Sequence, residues 1–228
     1  MKFQCGTSGF SFKEWKGPFY PEKLPADEML AFYASRLPTV EINNTFYRMP
    51  SESVLEGWAA QVPENFRFAI KAPRRISHVK QLKDCAAEAN HFFKVLGALG
   101  ARLGAVLVQL PPHARVGVEK LTEFLRLIPA GIPVAFEFRH TSWVDESVFS
   151  VLRDHGAAWV TTDDDGEPPA QLVRTASWTY LRLRAPDYPE TALREWKQRC
   201  ESFEQGFVYF KHEDGAAGPA FAERMLKL

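Results

Sequence analysis

The sequence has few cysteines. Cys5, Cys85 and Cys200 are the only three among 228 residues. They are widely spaced and odd in number, which argues against a disulfide framework and against paired-thiol metal ligation. No sign of charge dominates: Lys plus Arg and Asp plus Glu are both 28, so the formal net charge is zero. Proteins held to nucleic acid mainly through phosphates show a basic excess or a basic tail, and neither is present. No apolar run is long enough to span a bilayer, and the N-terminal MKFQCGTSGF lacks the apolar core of a signal peptide. These absences point to a cytoplasmic chain with reduced thiols and no membrane partner. Also lacking are a GxGxxG turn, a Walker loop, a G-x-S-x-G elbow and any HxH or HExxH pair. The sequence therefore indicates no particular cofactor, and it leaves the oligomeric state open.

What is present is a regular alternation. The strand candidates are Phe3 to Thr7, Thr39 to Asn43, Phe66 to Lys71, Ala105 to Leu110, Pro133 to Arg139, Ala157 to Asp163, Trp178 to Arg184 and Phe207 to Lys211. Between them lie segments of helical spacing: Asp27 to Arg36, Ser51 to Gln61, Cys85 to Leu99, Val118 to Ile128, Asp145 to Gly156 and Glu190 to Phe203, with Pro219 to Leu228 closing the chain. The stretch DDGEPPAQLVRTAS is too short and too Pro-broken for a full helix. Alternating strands and helices imply a parallel sheet. Eight units predict a single-domain, TIM-like (β/α)₈ barrel with a reduced sixth helix, rather than a doubly wound sheet.

In such barrels the site is built from the C-terminal ends of several strands. Each strand here ends in polar groups: Ser8; Glu41 and Asn43; Lys71; Gln109; Glu137 and Arg139; Thr161 and Asp163; Arg182 and Arg184; Lys211 and His212. Residues two apart share a face of a strand, so Glu41 with Asn43, Glu137 with Arg139, and Arg182 with Arg184 point the same way. Five bases against three acids favour an anionic ligand, because guanidinium meets carboxylate or phosphate in bidentate fashion. The alternative is that these charges neutralise one another in structural pairs. The small-residue turn Gly215 to Pro219 opens the last helix, whose N-terminus offers N–H groups to an anion. Phe10, Phe12, Trp15, Phe19, Tyr20, Phe46, Tyr47 and Trp143 fall in loops at the expected mouth. They either stack a sugar ring or base, or pack as a small core of their own. His78, His113 and His140 follow strands three, four and five, with no spacing typical of a zinc site.

Six segments together resemble the YecE-like family, known as domain of unknown function 72: GTSGFSFKEWKGPFYP, VEINNTFYRMP, FRFAIKAPRRISH, VLVQLPP, AFEFRHTSW and VYFKHEDGAAGPAFA. They run nearly end to end and in order. The resemblance implies a TIM-like barrel and brings no established reaction. Its motif positions in this sequence are Ser8, Trp15, Glu41, Asn43, Thr45, Tyr47, Lys71, His78, Gln109, Glu137, Arg139, His140, Ser142 and Trp143. The family has been likened to metal-dependent DNA-repair barrels, and this sequence shows no multi-His metal set.

Two classes of function follow. One is an enzyme (a lyase, isomerase or hydrolase) acting on a small anionic or sugar-like molecule. Glu41, Glu137 and Lys71 are then the acid–base groups. Ser8, Trp15, Asn43, Tyr47, His78, Gln109, Arg139, His140, Trp143, Asp163, Arg182, Arg184 and Lys211 are the ligand contacts. The other is a nucleic-acid-binding barrel, in which aromatic loops stack bases, and which zero net charge does not favour. A non-catalytic ligand binder is the plainer version of the first.

Overall fold

The computed structural model describes residues 2–163 and 172–228. Eight strands close into one parallel barrel in chain order. They are β1 (Lys2–Ser8), β2 (Thr39–Ile42), β3 (Arg67–Lys71), β4 (Leu103–Gln109), β5 (Val134–Glu137), β6 (Ala158–Thr162), β7 (Trp178–Leu183) and β8 (Gln205–Phe210). Closure comes from β1 pairing with β8, with Cys5 opposite Val208. A doubly wound sheet leaves two edges; none remains here.

Seven α-helices surround the barrel among the described residues: α1 (Met29–Arg36), α2 (Glu52–Ala60), α3 (Ala86–Leu96), α4 (Val118–Leu125), α5 (Glu146–Asp154), α6 (Glu190–Cys200) and α7 (Ala217–Lys227). The reduced sixth helix was expected over residues 164–177, of which 164–171 lie outside the described residues. Residues 172–177 contain no helix. The segment after β3 holds a π-helical turn at Arg75–Val79.

Two packed layers follow from strand alternation. Val40, Ile42, Phe68, Ile70, Val106, Val108, Phe136, Leu181, Val208 and Phe210 face the helices. Ala69, Ala105, Leu107, Ala135, Ala158, Val160, Tyr180, Phe207 and Tyr209 fill the barrel interior. The strands are covered on both faces, which is why several read as continuous apolar runs. α1 is latched to the barrel by Tyr33, whose hydroxyl accepts from the Thr7 N–H at 2.9 Å and donates to the Thr39 carbonyl at 2.9 Å. β1 and β2 approach so closely there that a Cβ on Gly6 would lie 1.9 Å from the Thr39 oxygen. Several strands end earlier than expected. β2 stops at Ile42, β5 at Glu137 and β7 at Leu183, so Asn43, Arg139 and Arg184 belong to the loops that follow.

Candidate ligand site at the mouth of the barrel

At the C-terminal end of the strands lies a cavity of about 430 Å³. Its wall includes Ser8, Asn43, Tyr47, Lys71, Gln109, Arg139, Arg182 and Lys211 from the predicted set, with Phe10, Phe12, Phe46, Trp58 and Glu213. Asn44, Tyr47 and Trp58 are shared with a larger groove of about 1060 Å³ between the β2–α2 loop and α3. Of the ionisable strand-end groups, Lys71, Arg139, Arg182 and Lys211 line the smaller cavity.

Beneath the cavity floor is a buried ionic layer. Arg182 donates Nε to Glu41 Oε2 at 3.0 Å, NH2 to Glu41 Oε1 at 2.9 Å and NH1 to Glu137 Oε2 at 2.5 Å. All three residues are at most 3% exposed. Glu41 also accepts from Ser8 Oγ at 2.6 Å, Asn43 Nδ2 at 2.9 Å and Tyr180 OH at 2.7 Å. Glu137 further accepts from Gln109 Nε2 at 2.7 Å, Arg139 Nε at 3.1 Å and Arg184 NH2 at 3.2 Å. Burial pushes both carboxyls up. Arg182 and the hydrogen bonds outweigh it, leaving Glu41 below its ordinary value and Glu137 at about 2. For Arg182 burial disfavours the cation, but the two carboxylates hold its pKa above normal.

Lys71 ends β3 two residues beyond the interior Ala69, and its Nζ enters the cavity. It donates to Gln109 Oε1 at 2.8 Å and stands 4.4 Å from the centre of the Phe46 ring. Among the described residues no carboxylate pairs with it. Burial and the Arg182 charge, only partly opposed by Glu41 and Glu137, bring its pKa to about 8. Lys211 is lowered as well, first by burial and then by Arg184 and Arg182.

Not every predicted residue faces this space. Trp15 is 1% exposed in a cluster with Phe12, Phe19 and Tyr20, and its indole N–H is spent on the Glu213 carbonyl at 2.7 Å. Trp143 is fully buried against Phe138 and donates to the Ala114 carbonyl at 2.8 Å. Asp163 accepts from the Arg184 backbone N–H and from Tyr188 OH. Ala158 and Val160 occupy the interior of β6, so by alternation Thr161 and Asp163 face the helical layer. His78 lies edge-on to Phe46, 4.7 Å between ring centres, and is driven down to about 4 by burial and the Lys71 charge. His140 pairs with Ser142 at 2.9 Å. Arg184 donates NH2 to Glu137 Oε1 at 3.2 Å. His212 was expected to adjoin the inward face. Its ring instead contacts Tyr188 and Phe221 on the helical side and reaches the Ala185 carbonyl at 2.7 Å. The α7 N-terminus, read as an anion cradle, is packed tight. A Cβ on Gly218 would meet the His212 carbonyl at 2.9 Å and Thr7 Cγ2 at 3.1 Å. Among the described residues no three His, Cys, Asp or Glu side chains converge in metal-binding fashion, and no helix is long and apolar enough to cross a membrane.

Three contributors escaped the sequence reading. Tyr180 sits two residues before Arg182 on β7, so alternation alone could have found it. Glu213 and Trp58 come from a loop and a helix, where the strand-end rule gives no signal.

Comparisons with known proteins agree with this architecture. The chain is 26% identical to the UPF0759 protein YunF of Bacillus subtilis (strain 168) over 252 residues, covering 92% of this chain and 89% of that one. It is 33% identical to the UPF0759 protein YecE of Escherichia coli (strain K12) over 111 residues, 47% of this chain and 40% of that one. A crystal structure of a DUF72 family protein from Thermotoga maritima superposes with a TM-score of 0.85 at 26% identity, covering 100% of this chain and 98% of that chain. A DUF72 family protein from Enterococcus faecalis shares the fold, with a TM-score of 0.82 at 21% identity over 99% of this chain and 94% of that one. The family model described as protein of unknown function DUF72 matches residues 4–228, and the chain belongs to that family.

Proposed function

We propose that the barrel mouth binds a small anionic or sugar-like molecule, with Lys71 as its acid–base group. The observation that carries this reading is the cavity wall: among the described residues Lys71, Arg139, Arg182 and Lys211 line it with one acidic residue, Glu213, while Glu41 and Glu137 lie behind it, bonded to the two arginines. A volume of about 430 Å³ suits a small organic molecule. Lys71 and Lys211 make no ion pair with a described carboxylate, so their charge is available to a ligand. The aromatic neighbours Phe46 and the 84% exposed Tyr47 offer faces for a sugar ring or other flat group.

In this reading Glu41 and Glu137 are anchors. A carboxylate with a depressed pKa and occupied lone pairs is a weak proton acceptor at neutral pH. A lysine near 8 exchanges a proton readily there. The carboxylates fix Arg182, Asn43, Ser8 and Gln109, and those groups shape the cavity.

The test is thermal unfolding of the protein at low salt with inorganic phosphate, citrate and a panel of sugar phosphates. A ligand at a hundred times its Kd adds about 2.7 kcal/mol, roughly 5–10 °C for a chain of this size. Lys211→Gln and Arg139→Gln should reduce the shift. No saturable shift with any anion sinks the reading. Single- and double-stranded oligonucleotides form a second arm. Tight binding that falls steeply with salt and competes with phosphate assigns the mouth to nucleic acid instead.

A further inference from the structure

We propose that Lys71 is a covalent site, whose ε-amine condenses with the carbonyl group of a small ligand that also carries an anion: a 2-oxo acid, or a phosphorylated aldehyde or ketone. This rests on the anion-site reading above and names a substrate class for it.

Three features of the geometry point there. The first is placement: Lys71 Nζ opens onto the cavity alongside Arg139 and Lys211, so an anion held by those cations brings an attached carbonyl toward the amine. The second is the partner. Gln109 is fixed by donating Nε2 to Glu137 at 2.7 Å, which turns its Oε1 toward Lys71 at 2.8 Å. An amide oxygen accepts one N–H and orients the amine. Unlike a carboxylate, it adds no negative charge to hold the amine protonated. The third is the surroundings. The Phe46 ring covers one side at 4.4 Å and shields the amine from water.

The charged and titratable groups around Lys71 are Glu41 from β2, Glu137 at the end of β5, Arg139 from the loop that follows, Arg182 from β7, Lys211 after β8 and His78 of the π-helical turn. Burial and the guanidinium groups outweigh the two carboxylates, and the amine falls from 10.5 to about 8. At pH 7 roughly a tenth of it is then free base, against well under a thousandth for an ordinary lysine. Lysine nucleophiles toward carbonyls are activated in this way, by desolvation and neighbouring cations.

The step balances without a further reactant. The neutral amine attacks the carbonyl carbon, the C=O π pair moves to oxygen, and the oxygen takes the proton lost by nitrogen. The carbinolamine then loses its hydroxyl as water with one added proton, while the nitrogen lone pair forms C=N. The iminium keeps one N–H, which remains on Gln109 Oε1, and its charge stays over the Phe46 face.

The experiment treats the whole chain with glyoxylate, and separately with glyceraldehyde 3-phosphate, in the presence of cyanoborohydride. The reduced adduct is then located by peptide mass spectrometry. Expected are labelling of Lys71 about tenfold or more faster than of surface lysines, a pH midpoint near 8, and slowing by excess inorganic phosphate. Propanal, which carries no anion, should label Lys71 more slowly. Preference for one of the two probes tells a carboxylate ligand from a phosphate ligand. Lys71→Arg should abolish the adduct. Labelling of Lys71 at the surface-lysine rate, or equal labelling by propanal, overturns the proposal. If phosphate still stabilises the protein in that case, the anion site stands without covalent chemistry. If neither phosphate nor any other anion of the panel does, both readings fall.

Discussion

Replacing Arg182 by Met removes the cation that joins two buried carboxylates and leaves the packing volume nearly intact. Arg182 is 2% exposed, Glu41 0% and Glu137 3%. Breaking a buried pair by deleting one partner costs about 3–5 kcal/mol, because the remaining charge is stranded. A second route gives a similar size. The fall of the Glu137 carboxyl from 4.5 to about 2 corresponds to about 3 kcal/mol of preference for its charged form. Arg139 and Arg184 share in that preference, whereas the cation bonded to Glu41 is Arg182 itself. In the native protein both carboxyl pKa values lie below their unfolded values. Their stabilisation is therefore complete above the unfolded value near 4.5 and is lost as pH falls through the folded values, about 2 for Glu137. In Arg182→Met, burial is the largest influence left on Glu41 and raises its pKa above the unfolded value. Stability is then lost as pH rises through the window between the two, the opposite sign. Urea unfolding followed by Trp fluorescence at pH 5 and pH 7.5 measures both effects. The variant should be about 3–5 kcal/mol less stable than wild type at pH 7.5 and visibly closer to it at pH 5. Adding Glu41→Gln should recover part of the loss at pH 7.5. A deficit under about 1 kcal/mol, or one that is the same at both pH values, refutes this account.

Trp143→Phe keeps the ring against Phe138 but deletes the donor to the Ala114 carbonyl, so thermal unfolding should show a loss of about 1–3 kcal/mol. Gly6→Ala would place a methyl 1.9 Å from the Thr39 oxygen, and the loss should reach the ~3 kcal/mol upper end of overpacking penalties or exceed it. Soluble Gly6→Ala protein with a native melting temperature would show that β1 and β2 do not approach in this way. Gln109→Leu takes from Lys71 the acceptor that stabilises its cation. The pH midpoint of reductive methylation at Lys71 should therefore fall below about 8, and an unchanged midpoint would remove Gln109 from the account.

The barrel was legible because each strand is a short apolar run between turn signals, and because β and α segments alternate eight times. The inner face of the mouth was legible by parity. Lys71 and Gln109 stand out as polar strand ends, Glu41, Glu137 and Arg182 as members of pairs two apart, and the structure brings the five together. Parity failed at β6. AAWVTTD carries small or apolar residues in both phases, so nothing in it fixes which set faces inward. Asp163 consequently went to Tyr188 and Arg184 rather than to the cavity. Depth was not legible either. It depends on the stagger between strands, with Lys71 opposite Leu107 while Gln109 is opposite Glu137. That stagger is set by pairings between distant segments. The aromatic loops posed a third problem. A Trp that packs and a Trp that receives a ligand have the same sequence signature, and only the spent indole N–H of Trp15 and Trp143 separates them.

Barrel interiors are ordinarily closed by layers of branched apolar residues. Here the lower layers are apolar but built from alanines (Ala69, Ala105, Ala135, Ala158) with Leu107, Val160, Phe207 and Tyr209, and the top layer is an ionic network. Stability alone does not account for it, since well-packed hydrophobic residues replace buried ion pairs at little cost and often with gain. What an apolar plug could not do is hold an amide and an amine in fixed orientation at a dry surface. Glu137 orients Gln109, Gln109 orients Lys71, and the Arg182 charge that binds both carboxylates also presses the Lys71 proton off. Such preorganised dipoles and charges need no rearrangement when a ligand arrives. On this view the acid at position 41 does not act on a ligand directly. It sets the charge and position of the arginine that tunes the lysine. Glu41→Gln should then leave Lys71 in place while shifting its pH midpoint downward, because one of the two carboxylates that support its cation is gone. Reductive methylation against pH reads that shift. A midpoint that rises in Glu41→Gln would show that losing the carboxylate disengages Arg182, and that the network acts on Lys71 through position rather than through charge.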